Sequence, residues 1–326
     1  MKKIGIFCGG FSSEFEISVK SARNIQKAIH ISGNYAAYLV FVTREKWEIE
    51  VDGVRMKLSQ EDFTFEMNGA KVALDAAHVY IHGNPGENGK LQAYFEMKEF
   101  PYINSGSLAS AMSFDKWFCN QFLKSFGVKV AKSVLLSDLE KANQAALIAE
   151  IGLPMFVKPS DSGSSFGISK VYKADELPEA LRLAFNEGRT VVCEAFMDGV
   201  EVTCGVYEDE SGLRALPCTE IVSETDFFDY EAKYLGKSQE ITPARISQAL
   251  TSEVQELSKK IYGLLQLRSL ARIDYIIIGN EPHVIEVNTT PGFSSESIVP
   301  KMLETAGIAQ TKFWNGIYDF ELKRYT

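Results

Sequence analysis

Several protein classes leave no trace in this chain. Its five cysteines, Cys8, Cys119, Cys193, Cys204 and Cys218, are odd in number, widely spaced and mostly set among apolar residues, which argues against a disulfide framework or a zinc site and predicts buried free thiols. The four histidines, His30, His78, His82 and His283, show no metal-ligand spacing. No apolar run is long enough to cross a membrane, and MKKIGIFCGGFSSE breaks into Gly and Ser too early for a signal peptide, so a cytoplasmic protein is expected. A net charge of −9 without a basic aromatic patch argues against nucleic-acid binding. An anionic substrate must therefore be met by local lysines. A Walker A pattern, a full GxGxxG pattern, internal repeats and low-complexity tracts are all missing.

The composition that remains, 45% hydrophobic and 24% charged over 326 residues, is that of a globular protein too long for one typical core. KKIGIFCGG predicts a short strand ending in glycines, and the helix after it would bury Ile17, Ala22, Ile25 and Ala28. Such a strand, Gly-rich turn and helix N-terminus can receive a charged ligand. VALDAAHVYIHGNPGENG ends a further strand in a second Gly-rich loop. Beyond PYINSGSLASAMSFDK the pattern changes to short apolar strands joined by polar loops. FVKPSDSGSSFGISKVY places Lys158 at the mouth of a Ser/Gly loop, whose glycine permits close approach to phosphate, although such a loop can equally be a simple turn.

The densest polar signal lies in ARIDYIIIGNEPHVIEVNTTPG. Two apolar runs flank a turn, yet they carry Arg272, Asp274, Glu286 and Asn288. A three-residue turn at Gly279-Asn280-Glu281 would set Asp274 opposite Glu286 and Arg272 opposite Asn288, with all four on one face. Facing carboxylates repel unless a cation lies between them or both splay into solvent. Two carboxylates and an amide oxygen form a hard ligand set suited to Mg²⁺; the same pattern also fits a solvent-facing side of a hairpin.

GGFSSEFEIS, HGNPGENGKLQ, PYINSGSLASAMSFDK, VKPSDSGSSFGISKV, DYEAKYL and LARIDY…IEVNTTPGFSSESIVPKM follow one another along nearly the whole chain. In that order they resemble the ATP-grasp superfamily, and more closely the D-alanine:D-alanine ligases. The resemblance implies a three-domain α/β and α+β fold with an N-terminal parallel-sheet domain (1–104), a central lobe (105–194) and a C-terminal lobe (195–326). It also implies ligation of two D-alanines with ATP through an acyl phosphate, two Mg²⁺ ions that Mn²⁺ can replace, and a homodimer.

Residue by residue, Lys116, Lys158, Ser162, Gly163 and Ser165 match the family's ATP-phosphate ligands and phosphate cover, Glu194 its adenine-edge residue and Glu201 its ribose acceptor. Asp274, Glu286 and Asn288 match the metal ligands, and Arg272 with the Gly292 N–H the oxyanion donors. Glu14, Ser164 and Tyr234 match the group that receives the first D-alanine, with His82 nearby, while Lys233 and Ser297 match groups that hold the phosphoryl group or the second carboxylate. Three departures stand out: Asn88 where the family has an aspartate, Ala195 where a polar residue is common, and Thr290 where Leu or Ser is common. The intact Lys233-Tyr234 pair favours D-alanine over D-lactate or D-serine as acceptor, and the retained metal-ligand residues, arginine and lysines favour an enzyme over a nucleotide-binding regulator of the same fold that has lost catalysis.

Overall fold

The computed structural model describes residues 1–161, 167–223 and 238–325. Its first sheet has the strand order Val54–Lys57, Trp47–Val51, Tyr35–Val42, Lys2–Gly9, Ala76–Val79 and Tyr102–Ile103. The last four strands in that order are parallel, and the first two form an antiparallel edge. Because Lys2–Gly9 and Ala76–Val79 are parallel neighbours, the Gly-rich loops that follow them emerge at the same end of the sheet. Gly9 and Gly10 have φ of 90° and 98°, in the region that favours glycine, and a Cβ on Gly9 would meet the Phe15 ring at 2.5 Å.

The helix Phe15–Ser32 turns Ser18, Val19, Ser21, Ala22, Ile25, Ala28 and Ile29 inward. Ala22, Ile25 and Ala28 are buried as the periodicity predicts, whereas Ile17 is half-exposed and two serines take the place next to it. Those serines serve strand ends: Ser18 accepts from the Gly9 N–H at 2.9 Å and donates to the Tyr80 carbonyl at 2.7 Å.

The second sheet is antiparallel, in the order Ser169–Val171, Met155–Pro159, Val191–Ala195 and Ser133–Leu136. Helices Gln144–Ile151 and Leu177–Glu187 supply apolar residues to its core. The third sheet runs Ser238–Ile241, Thr219–Ser223, Val200–Asp209, Leu270–Ile278 and Glu281–Asn288, with Gly212–Ala215 paired to Val200–Asp209. Helix Gln248–Leu264 packs on it through Leu250, Val254 and Ile261.

The final helix, Gln310–Leu322, returns to the first sheet. Its Phe313, Trp314, Ile317 and Tyr318 join one core with Ile4, Ile25 and Leu39. Burying each such large apolar side chain contributes about 1.5–3 kcal/mol. All five cysteines are free and buried. Among the described residues, no helix is long and apolar enough to cross a membrane.

Candidate active site

The hairpin Leu270–Ile278 and Glu281–Asn288 sets Arg272 opposite Asn288 and Asp274 opposite Glu286, as the sequence predicts, but by a different route. Ile278 pairs with Glu281, so the turn has two residues, Gly279 (φ 64°) and Asn280. The pairing then slips between Asp274 and Tyr275, leaving Ile285 as the extra residue of a β-bulge. A shorter turn and a later bulge reach the pairing that a longer turn would give directly.

The facing carboxylates are compensated by cations. Asp274, only 7% exposed, accepts from Arg272 Nε (2.8 Å, Oδ1) and Nη2 (2.7 Å, Oδ2), from Thr203 Oγ1 (2.5 Å, Oδ1) and from Asn288 Nδ2 (2.9 Å, Oδ2). Lys116 Nζ lies 3.6 Å from Glu286. Because Asn288 turns its amide nitrogen to Asp274, its carbonyl oxygen is the atom it offers a cation. Among the described residues no three His, Cys, Asp or Glu side chains gather as a metal cluster. Asp274, Glu286 and Asn288 could together offer a cation two carboxylates and one amide oxygen, an all-oxygen set whose chemistry fits Mg²⁺.

Lys116 opens the helix Lys116–Ser125. Its N-cap Asp115 accepts from the N–H groups of Trp117 (3.1 Å) and Phe118 (3.0 Å). Ser160 donates to Asp115 at 2.5 Å, and its carbonyl accepts from the Lys116 N–H at 2.9 Å. The helix start is thereby tied to the strand that carries Lys158. Lys158 and Glu194, both buried, form an ion pair across neighbouring strands. Glu201 lies two residues before Thr203, which pairs with Asp274, so strand alternation puts Glu201 on the same face. Lys116, Lys158 and Arg272 thus stand beside carboxylates on this face.

At the other end, Glu14 is buried at the N-cap of Phe15–Ser32. His82, also buried, lies 3.3 Å through Nε2 from Ser21 Oγ, which in turn accepts the Phe293 N–H at 3.1 Å. Burial lowers the His82 pKa, against the opposing pull of Glu14 and the Thr290 backbone, with Arg272 lowering it further. A neutral imidazole therefore braces the loop that carries Gly292. The same loop is held by Tyr80 Oη on the Pro291 carbonyl (2.7 Å), by Asn24 on the Phe293 carbonyl (2.9 Å) and by Asn104 on Thr290 Oγ1 (3.0 Å). Thr290 thus contributes a tether. Ser297 accepts from the Ser294 N–H at 3.0 Å, and a Cβ on Gly292 would meet its Oγ at 3.0 Å.

Ser162, Gly163, Ser164, Ser165, Lys233 and Tyr234 lie outside the described residues. Three contributors escape sequence reasoning: Thr203, Ser21 and Glu87. Thr203 and Ser21 could have been found from their spacing to Glu201 and Glu14, had the neighbouring elements been known. Glu87, half-buried in GENG, accepts from the Gly83 N–H at 2.8 Å. Desolvation, then Glu14 and Glu286, push its pKa up to about 7 against the Gly83 N–H and Lys116. Asn88, the departure in the same loop, donates to Asn84 Oδ1 at 3.0 Å, while its own buried Oδ1 has no partner.

The chain is similar to known proteins along nearly its whole length. Family models described as D-ala D-ala ligase N-terminus and C-terminus match residues 3–105 and 122–317. A D-alanine–D-alanine ligase of Parabacteroides distasonis is 43% identical over 324 residues, covering 99% of this chain and 98% of its own. Among solved structures, D-alanyl-alanine synthetase A of Vibrio cholerae superposes with a TM-score of 0.88 at 27% identity, covering 98% of both chains. A D-Ala:D-Ser ligase of Enterococcus faecalis gives 0.87 at 29% identity, covering 100% of this chain and 99% of its own.

Proposed function

The chain belongs to the D-alanine:D-alanine ligase family, and from that premise we propose that it joins two D-alanines at the expense of ATP to supply peptidoglycan precursors. The observation that carries the reading is the convergence of Arg272, Asp274, Glu286 and Asn288 on one sheet face beside Lys116.

A carboxylate oxygen of the first D-alanine attacks the γ-phosphorus of ATP, the bond to the bridging oxygen breaks, and ADP leaves behind a D-alanyl phosphate. The deprotonated amine of the second D-alanine attacks the acyl carbon, and the tetrahedral oxyanion forms against Arg272 and the Gly292 N–H. Phosphate departs as the dipeptide bond forms. Glu14, with Ser164 and Tyr234, binds the first ammonium near His82; Lys233 and Ser297 hold the phosphoryl group or the second carboxylate. Lys116 and Lys158 bind ATP phosphates under the 162–167 loop with its Ser162, Gly163 and Ser165. Glu194 meets the adenine edge through its backbone, and Glu201 takes a ribose hydroxyl. Two Mg²⁺, or Mn²⁺ in their place, would be held by Asp274, Glu286 and Asn288 and would neutralise phosphate charge.

In this reading the protein is cytoplasmic and homodimeric, the latter checked by light scattering on the purified chain. The division 1–104, 105–194 and 195–326 separates first-substrate, ATP and metal-bearing portions. A second reading, D-serine or D-lactate as acceptor, is kept by the equal fold likeness to the D-Ala:D-Ser ligase.

The test is ADP release with D-alanine, L-alanine, D-serine and D-lactate, with the product weighed by mass spectrometry. D-alanyl-D-alanine as the main product is expected. ATP turnover that ignores every D-amino acid would sink the proposal.

A further inference from the structure

We propose that Thr203 is a positioning residue for the metal floor, holding Asp274 by one oxygen while a cation takes the place Arg272 fills in this structure. The inference rests on the reading of Asp274 as a metal ligand.

Thr203 stands opposite Asp274 on the adjacent strand, is 2% exposed, and donates to Oδ1 at 2.5 Å. Its hydroxyl is also 3.3 Å from the Ile273 carbonyl. The other donors on Asp274 differ in kind. Arg272 reaches it with a long chain from the same strand, through both oxygens. Asn288 reaches Oδ2 and is itself a proposed ligand, free to reorient with the metal. Thr203 is short, β-branched and locked at χ1 within the sheet, so it cannot follow the carboxylate if that turns. It therefore fixes which lone pairs of Asp274 face the cation. Partners of this second rank typically change metal affinity or activity by about 10–100-fold when removed.

The experiment measures Mn²⁺ binding to the full-length protein with saturating ADP, following free Mn²⁺ by electron paramagnetic resonance. Wild type, Asp274→Asn, Thr203→Val and Thr203→Ser are compared. Asp274→Asn should abolish tight binding, Thr203→Val should raise the Mn²⁺ Kd about 10–100-fold, and Thr203→Ser should stay within about twofold of wild type. Undiminished Mn²⁺ binding in Asp274→Asn would remove the metal reading itself. Loss in Asp274→Asn with wild-type affinity in Thr203→Val overturns the role of Thr203 alone, as does equal weakening in Thr203→Ser. Should Thr203→Val not fold, Thr203→Ala is measured in the same way, and wild-type affinity again overturns the proposal.

Discussion

Two arginine–carboxylate pairs lie close together in the chain and do opposite work. Arg268 donates from Nε to Glu321 at 2.7 Å and from Nη2 to the Tyr102 carbonyl at 3.1 Å, while its N–H reaches Ser105 at 3.1 Å. Glu321 is fully buried on the final helix, so this pair fastens the last helix to the first sheet. Arg272 and Asp274 make an equally well-formed pair, at 2.8 and 2.7 Å, but on the face proposed to receive phosphate and metal. The side chains of Arg268 and Arg272 are similarly exposed, at 17% and 15%, but Glu321 has a second cation in Arg324, whereas Asp274 lies on the face proposed to receive groups that compete for both partners. Similar geometry thus serves as a strut in one place and as an exchangeable contact in the other, and the surroundings decide which.

A large effect should come from the strut. Arg268→Ala leaves the buried Glu321 with Arg324 on its other oxygen at 3.2 Å and should cost about 3 kcal/mol in urea unfolding, with kcat of the folded enzyme nearly unchanged. Arg272→Ala should instead lose about 2.7–4 kcal/mol of transition-state stabilisation, or roughly 10²–10³ in kcat, with Thr203 and Asn288 still donating to Asp274. A kcat loss of that size in both variants would erase the distinction.

The pH dependence sharpens the comparison, since the two regions carry shifts of opposite sign. His78, buried against Tyr318 with 2.9 Å between Nδ1 and Oη, has its pKa lowered by burial from 6.5 to about 3. The unfolded chain then takes up a proton that the fold refuses, so this stability is present above about pH 6.5 and falls as the solution is acidified. At pH 5 the loss is about 2 kcal/mol, and His78→Asn should remove that part of the slope in denaturant titrations.

Glu87 titrates the other way, with its folded pKa near 7 instead of 4.5. Its contribution is present below about pH 4.5 and is lost as pH rises through 7, so Glu87→Gln should flatten the profile on that side. This should be the smallest effect, because the side chain is only half-buried. Unaltered slopes in both variants would remove these two groups as the source.

Much of this could be read from residue order. Gly-rich loops after apolar strands and the strand pair around the Ser/Gly loop follow from local chemistry, and the structure contains them; the facing of Asp274 and Glu286 is reached from the wrong turn and holds because the bulge offsets it. What escaped depends on partners distant in sequence. Ser18 and Ser21 look like misfits in a helix stripe until the strand ends and the Phe293 N–H supply their bonds. Lys158 and Glu194 look like separate ligands until antiparallel pairing sets them diagonally across two strands. Thr203 is an ordinary strand residue until its neighbour across the ladder proves to be Asp274.

The bulge at Ile285 has a further consequence. Placing the extra residue beside Asp274, instead of at the turn, opens a gap in the ladder, and the Ile285 carbonyl accepts instead from Asn120 Nδ2 at 3.4 Å. Asn120 belongs to the helix that begins with Lys116, and the same amide lies 3.5 Å from Glu194. The missing rung is therefore a socket: through it the hairpin, the lysine-bearing helix and the middle sheet are plugged together, and Lys116 is aligned with Glu286 by the place where the ladder breaks.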